Sequence, residues 1–176
     1  MDVNKLLSRH EAGEKDFNKV ILHQANLKNT DLSGINLSSA ELSGADLSGA
    51  KLRKCNLSRA NLTDADLSGA DLSGANLSEI NLIGADLIGA KLERANLEKA
   101  ALRSANLVNA NLVNANLAEA ELSGADLAKA NLKNANLTDS NIDEADISDA
   151  DFIKLKNVNQ NHPGISHKWI SWAGSH

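Results

Sequence analysis

The side chains that could do chemistry in this sequence are few and evenly spaced. The most regular set is acidic: Asp46, Asp66, Asp86, Asp126 and Asp146 recur at one fixed interval, with Asn106 filling the single gap. Carboxylates repeated on one face could attract cations, or imitate a row of nucleic-acid phosphates. The stronger reading is that each is tied to nearby backbone N–H groups, because bare like charges side by side repel. Asn36, Asn56, Asn76, Asn96, Asn116 and Asn136 form a second set with the same interval, which reads as an amide ladder between stacked layers.

Nucleophile and metal chemistry find little support. The one cysteine, Cys55, stands where other units have alanine and reads as a small buried apolar residue. No disulfide can form within the chain. The histidines lie near the two ends (His10, His23, His162, His167, His176) without metal-ligand neighbours or a Ser-His-Asp arrangement. The stretch from Gly44 to Lys51 glances at a phosphate loop but has one residue too many before the lysine, no Ser or Thr after it, and no helix to follow. Asn36-Leu37-Ser38 and Asn61-Leu62-Thr63 match glycosylation sequons only as by-products of a repeat. No catalytic, cofactor-binding or metal site is expected, and the chain reads as a non-enzyme.

What positions these sets is a five-residue unit written without a break from Lys15 to Lys154. Its apolar centres fall at Phe17, Leu22, Leu27 and every fifth residue to Ile147 and Phe152, which makes 28 units. Five suits neither a helix, where such centres would spiral around the axis, nor a single strand, where they would alternate faces. A fixed short period means stacked repeats. If each unit makes one side of a square, four units close a turn, and seven coils follow (15–34, 35–54, 55–74, 75–94, 95–114, 115–134 and 135–154). One turn is then the interval that separates the members of the acidic and asparagine sets.

The columns agree with that geometry. Two residues before the centre the side chain is Ala in 21 of the 28 units, small enough to point inward beside it. One before the centre it is Asn or Asp in 22 of 28, suited to hydrogen-bonding corner backbone. The two residues after the centre are expected to face water. Glycine sits second after the centre in eight units, where a corner could require φ > 0.

Tandem A-[DN]-L-x-x of this length, covering residues 15–154, resembles the pentapeptide repeat family. The resemblance implies an all-β fold, a right-handed quadrilateral β-helix (a β-solenoid). It implies structural residues at the centres and at the small positions before them, and no shared active site.

Residues 1–14 are read as a short amphipathic capping helix, with Val3, Leu6, Leu7 and His10 on one face, Gly13 as its stop and His10 at its rim. Residues 155–176 are read as a C-terminal tail, capping in part through Leu155 and Val158 and mobile over its last dozen residues. The net charge of −5 offers no basic stripe for nucleic acid. No apolar run is long enough to span a membrane and no signal peptide is evident, so a cytoplasmic protein is expected, monomeric or weakly dimeric.

The position just after the centre is polar in most units but apolar at Ile83, Ile88, Val108, Val113 and Ile153, with alanine at Ala118 and Ala128; the first four cluster at mid-rod. Ile88 and Val108 are one turn apart and should stack; Ile83 and Val113 belong to the flanking faces. This is the candidate partner surface. The expected function is a protein-interaction scaffold or regulator. The alternative, carried by the resemblance, is a DNA-mimicking protector or inhibitor of a type II topoisomerase, with the acidic set as its stripe.

Overall fold

The computed structural model describes residues 1–151. Each five-residue unit folds the same way, and the backbone explains why five residues are needed. The carbonyl of the centre accepts the N–H three residues on, as in Ala45 to Leu42 at 3.0 Å. Within that turn only the third residue has positive φ, the pattern of a type II turn. Gly44, Gly69 and Gly89 adopt φ of 65°, 63° and 63°, and so do many residues with side chains, among them Lys129 at 60° and Arg94 at 58°. The chain thus bends sharply once per unit whatever stands at the corner.

Between bends the residue before each centre pairs in parallel with its counterpart one turn further on. The series begins with Asp16–Asn36, Ile21–Glu41, Asn26–Asp46 and Asp31–Lys51, four sides to a turn, and continues in that register to Asn131–Asp151. The sides are single-residue rungs, too short to be strands of ordinary length. Each rung is closed from both directions: Leu47 N–H donates to Asp66 O at 2.7 Å, and Asp66 N–H donates to Ala45 O at 3.0 Å. The product is a β-helix.

The centres and the residues two before them fill the interior. Leu27 through Leu132 are buried at every centre, with Ile35, Ile80 and Cys55 accommodated in the alanine columns. The two inward hydroxyls are satisfied locally, Thr30 Oγ1 by Leu27 O (2.6 Å) and Ser140 Oγ by Leu137 O (2.8 Å), so neither leaves an unpaired polar atom in the core.

One end is closed by α1 (Val3–Glu11). Asp2 caps it by accepting the Lys5 N–H at 2.8 Å. It ends in a Schellman motif: Gly13, at φ 99°, donates to His10 O and Glu14 donates to Arg9 O. Leu6 is fully buried over the first coil, with Val3 and Leu7 partly so. His10 is a correction to the rim position expected for it: it is 8% exposed and meets Phe17 edge-on, with Arg9 over the same ring at 5.4 Å. An aromatic first centre offers a broad platform, and the helix covers it with a ring and a guanidinium as well as with leucine. The centre Phe152 and the tail 155–176, including Leu155 and Val158, lie outside the described residues.

Candidate functional site

The four apolar positions hold the placement their spacing implies relative to the core: all lie outside the buried columns. Their environment differs from the expected open water. The side chain after a centre is half-buried in most units, because the residue before the centre folds over it. Ile83, Val108 and Val113 are half-buried and Ile88 is exposed, at 39%. The rung Asp86–Asn106 sets Ile88 and Val108 in successive coils of one face. Ile83 follows the rung residue Asn81, and Val113 follows Asn111, on the two adjoining faces. Every one of these residues also has its own amide held by the Asn or Asp two before it, at 2.9–3.3 Å, which fixes the backbone that carries the patch.

The acidic set is bound to its own backbone. Asp46, Asp66, Asp86, Asp126 and Asp146 each accept the N–H two residues on, at 2.8–2.9 Å. Asp46 and Asp66 also accept the hydroxyls of Ser48 and Ser68, at 2.6 Å each. The Ser48 hydroxyl and amide hold the Asp46 carboxyl below its usual range, and the Ser148 amide and hydroxyl do the same for Asp146. One oxygen of each carboxyl in the set is engaged in turn geometry.

On the opposite face the asparagines form the ladder expected of them. Asn56 Nδ2 donates to Asn36 Oδ1 (3.1 Å), Asn76 to Asn56 (3.2 Å), Asn116 to Asn96 (3.0 Å) and Asn136 to Asn116 (2.9 Å).

Three arrangements carry no clear mark in the sequence. Ser73 Oγ lies 2.6 Å from Asp71 and 3.0 Å from Glu93, and Glu93 also accepts from Asn111, a polar cluster spanning neighbouring coils that Arg53 borders at 3.3 Å from Asp71. His23 Nδ1 lies 2.7 Å from Ser43 Oγ, but both side chains are on the surface and no carboxylate among the described residues orients the ring, so a charge-relay site is not formed. At the capped end Met1, Arg9, Phe17, Lys19 and Ile21 line a shallow depression of about 400 Å³, with Ile21 60% exposed. Only Ile21 left a trace in the sequence, as the one β-branched residue in the column that is otherwise mostly Asn and Asp.

The remaining candidates are structural. The Gly44 and Gly49 amides donate to Thr63 O and Ser68 O, so they are not free to cradle a phosphate. Cys55 is buried, and burial pushes its thiol up to about 12, away from a reactive thiolate. No group of His, Cys, Asp and Glu among the described residues could hold a metal ion. No described helix is long and apolar enough to cross a membrane. His162, His167 and His176 lie outside the described residues.

Comparison with known proteins places this architecture. The model for pentapeptide repeats matches in eight copies over residues 13–38, 21–59, 40–79, 80–118 and 120–154, and the chain belongs to the pentapeptide repeat family. Such proteins form right-handed β-helices. Among solved structures, a trypsin-treated variant of QnrB1, a plasmid-mediated fluoroquinolone resistance protein, is 24% identical, covering 79% of this chain and 74% of its own, with a TM-score of 0.55. HetL, a pentapeptide repeat protein involved in heterocyst differentiation regulation from the cyanobacterium Nostoc sp. strain PCC 7120, is 28% identical, covering 88% of this chain and 96% of its own, with a TM-score of 0.45. No curated protein matches the chain.

Proposed function

We propose that this chain is a non-enzymatic protein-interaction scaffold or regulator, a rigid rod that presents Ile83, Ile88, Val108 and Val113 to a protein partner. The observation that carries this reading is the change of character at one position of the repeat. Ser43, Ser48, Ser68 and Ser73 fill that position equally well, so the fold does not demand isoleucine or valine there. Ile88, 39% exposed and one rung from Val108, gives the patch an accessible centre. Backbone amides spent on coil-to-coil bonds, and the lack of a nucleophile–base pair with an orienting group among the described residues, support a role without catalysis or cofactor. A net charge of −5 supports a protein partner over nucleic acid. We place the protein in the cytoplasm, as a monomer or weak homodimer.

The test is a double variant, Ile88→Ser with Val108→Ser. Stability should hold to within about 0.5 kcal/mol, as at surface sites. Partner capture by the purified rod should weaken by about 1 kcal/mol or more if either side chain is an anchor. Unchanged stability with every partner retained would reduce the patch to plain surface.

A second reading is a DNA-mimicking protector or inhibitor of a type II topoisomerase. The acidic column of Asp46, Asp66 and Asp86 favours it. Asn106 interrupts that column, and the register from Asp16 to Asp151 runs without an inserted loop, so the rod offers one broken acidic stripe and no projecting element to go with it. A gyrase supercoiling assay with quinolone separates the two: protection at stoichiometric protein would favour the second reading and no effect the first.

A further inference from the structure

The first coil is closed over its core but not around its rim. Leu6 of α1 is fully buried above it, while the rung residues Asp16, Ile21, Asn26 and Asp31 are all exposed. In the second coil a rung is bonded toward both neighbours: Glu41 N–H donates to Val20 O at 2.8 Å, and Glu41 O accepts the Leu22 N–H at 2.7 Å. Ile21 holds the same place one turn earlier. Among the described residues its N–H meets no acceptor and its carbonyl no donor. Such an edge is a template for another extended chain.

Three of the four sides of this coil are blunted by polar side chains. Asp16, Asn26 and Asp31 each turn an oxygen back onto the amide two residues on, that of Asn18, Lys28 and Ser33. Ile21 cannot. It is 60% exposed, and with Met1 it supplies two of the three exposed large apolar side chains among the described residues. Both border the shallow depression beside α1, whose lining also holds Phe17 and Val20.

The charge left available on that lining is positive. Arg9 is paired with Glu14, and Asp16 is taken by Asn18 Nδ2 and Asn36 Nδ2 at 2.8 Å each. Lys19 has no ion pair among the described residues. These features select one occupant. A donor and an acceptor on one exposed rung fit an extended backbone, and not a helix, whose own amides are spent on itself. The depression fits an apolar side chain of that strand, and Lys19 fits a carboxylate near it.

We propose that the Ile21 edge is a β-augmentation site for an extended segment of another protein, one that carries apolar and acidic side chains together. The site lies on the first coil, apart from Ile88 and Val108, so it is a second contact that stands or falls independently of the mid-rod patch.

The probe is an acetylated, amidated hexapeptide of alternating valine and glutamate, titrated into the full chain and followed by amide NMR shifts. Saturable shifts are expected at Phe17, Lys19 and Ile21, with none at Ile88. Methylating the peptide's backbone nitrogens should weaken binding about tenfold or more, because the strand then has no amide to give the Ile21 carbonyl. Lysine in place of glutamate should weaken it about threefold or more. Ile21→Asn restores the residue type usual in that column; it should leave the melting temperature unchanged and weaken binding about fivefold or more. The absence of saturable shifts at Ile21, equal binding of the methylated peptide, or full binding by Ile21→Asn overturns the proposal. Shifts at Ile21 that grow with protein concentration in the absence of peptide overturn it in favour of a second copy.

Discussion

Asn56 and Asn36 share a side-chain hydrogen bond across one turn of the β-helix: Asn56 Nδ2 donates to Asn36 Oδ1 at 3.1 Å, and that same oxygen accepts the Ser38 N–H at 3.1 Å. One atom therefore fixes both the corner of its own coil and the register of the next. This dual role accounts for a short polar side chain before so many centres, since Asn and Asp alone place an acceptor close enough to their own backbone while reaching the neighbouring rung.

The first prediction follows from that dual role. Asn116 donates to Asn96, accepts from Asn136, and holds the Ala118 amide. Asn116→Ala should cost about 2–3 kcal/mol, since it removes several bonds each worth about 0.5–1.5 kcal/mol net. Chemical denaturation measures it. A loss smaller than a single such bond contributes would mean that the ladder follows the fold without supporting it.

The core makes a sharper contrast. Leu72 is 1% exposed, whereas Arg103, the residue after the opposite-face centre Leu102, is exposed. Leu72→Ala should cost about 2–5 kcal/mol through lost burial and a cavity that stacked coils cannot collapse. Arg103→Ala should stay within about 0.5 kcal/mol. Equal melting temperatures for the two variants would contradict the inward assignment of the centres.

Much of this was legible before any coordinates, and the reasons are local. A centre every fifth residue, with alanine two before it, leaves one way to bury both columns, and Leu27 and Ala45 lie where that argument puts them. The residue after the centre was less legible. Ser73 was expected in water, yet it is half-buried between Asp71 and Glu93, because the polar side chain before each centre folds back over it. His10 gave a helical spacing but not its burial, which depends on the breadth of Phe17. The patch at Ile83, Ile88, Val108 and Val113 is legible as an exception to a column, and a column says nothing about what binds there.

Glycine at the corners was legible too, but only half of its meaning. The corner residue has positive φ with or without glycine, so lysines and arginines hold a backbone that costs about 1–2 kcal/mol for a side-chain-bearing residue. Lys129 sits at φ 60° and is exposed. Lys129→Gly should raise stability by about 0.5–1 kcal/mol, the relieved strain exceeding the added freedom of the unfolded chain. The reverse change, Gly69→Lys, should lower it by a similar amount although nothing lies within 4 Å of the added Cβ. Thermal melts of both variants give the two signs, and matching signs would refute the argument.

The cap is testable at Leu6. Leu6→Ala should cost about 2–4 kcal/mol and loosen α1, since Leu6 is the fully buried residue of that helix. Faster hydrogen exchange at Phe17 and Leu22, with Leu72 unchanged, is the expected pattern. Uniform exchange across the rod would mean that the helix does not protect the first coil specifically.

Alkaline pH probes the interior from another direction. Cys55 is buried in place of an alanine, and desolvation raises its thiol from 9.0 to about 12. A group whose folded pKa is raised binds its proton more tightly when folded, so the unfolded chain ionises first as pH rises. The stability linked to Cys55 is therefore intact below pH 9.0 and is lost as pH climbs from 9.0 towards 12. Across that window the loss is on the order of 4 kcal/mol at about 1.36 kcal/mol per pKa unit. Lysines also titrate at such pH, so the informative comparison is with Cys55→Ala, which leaves the lysines in place and matches the residue of most other units. Denaturation midpoints should fall more steeply above pH 9.0 for the natural chain than for the variant. The thiol should resist alkylation until the rod unfolds. Parallel pH curves, or alkylation of the folded chain, would mean that water reaches the alanine columns and that the interior is less closely packed than Leu52 and Leu57, both fully buried beside Cys55, imply.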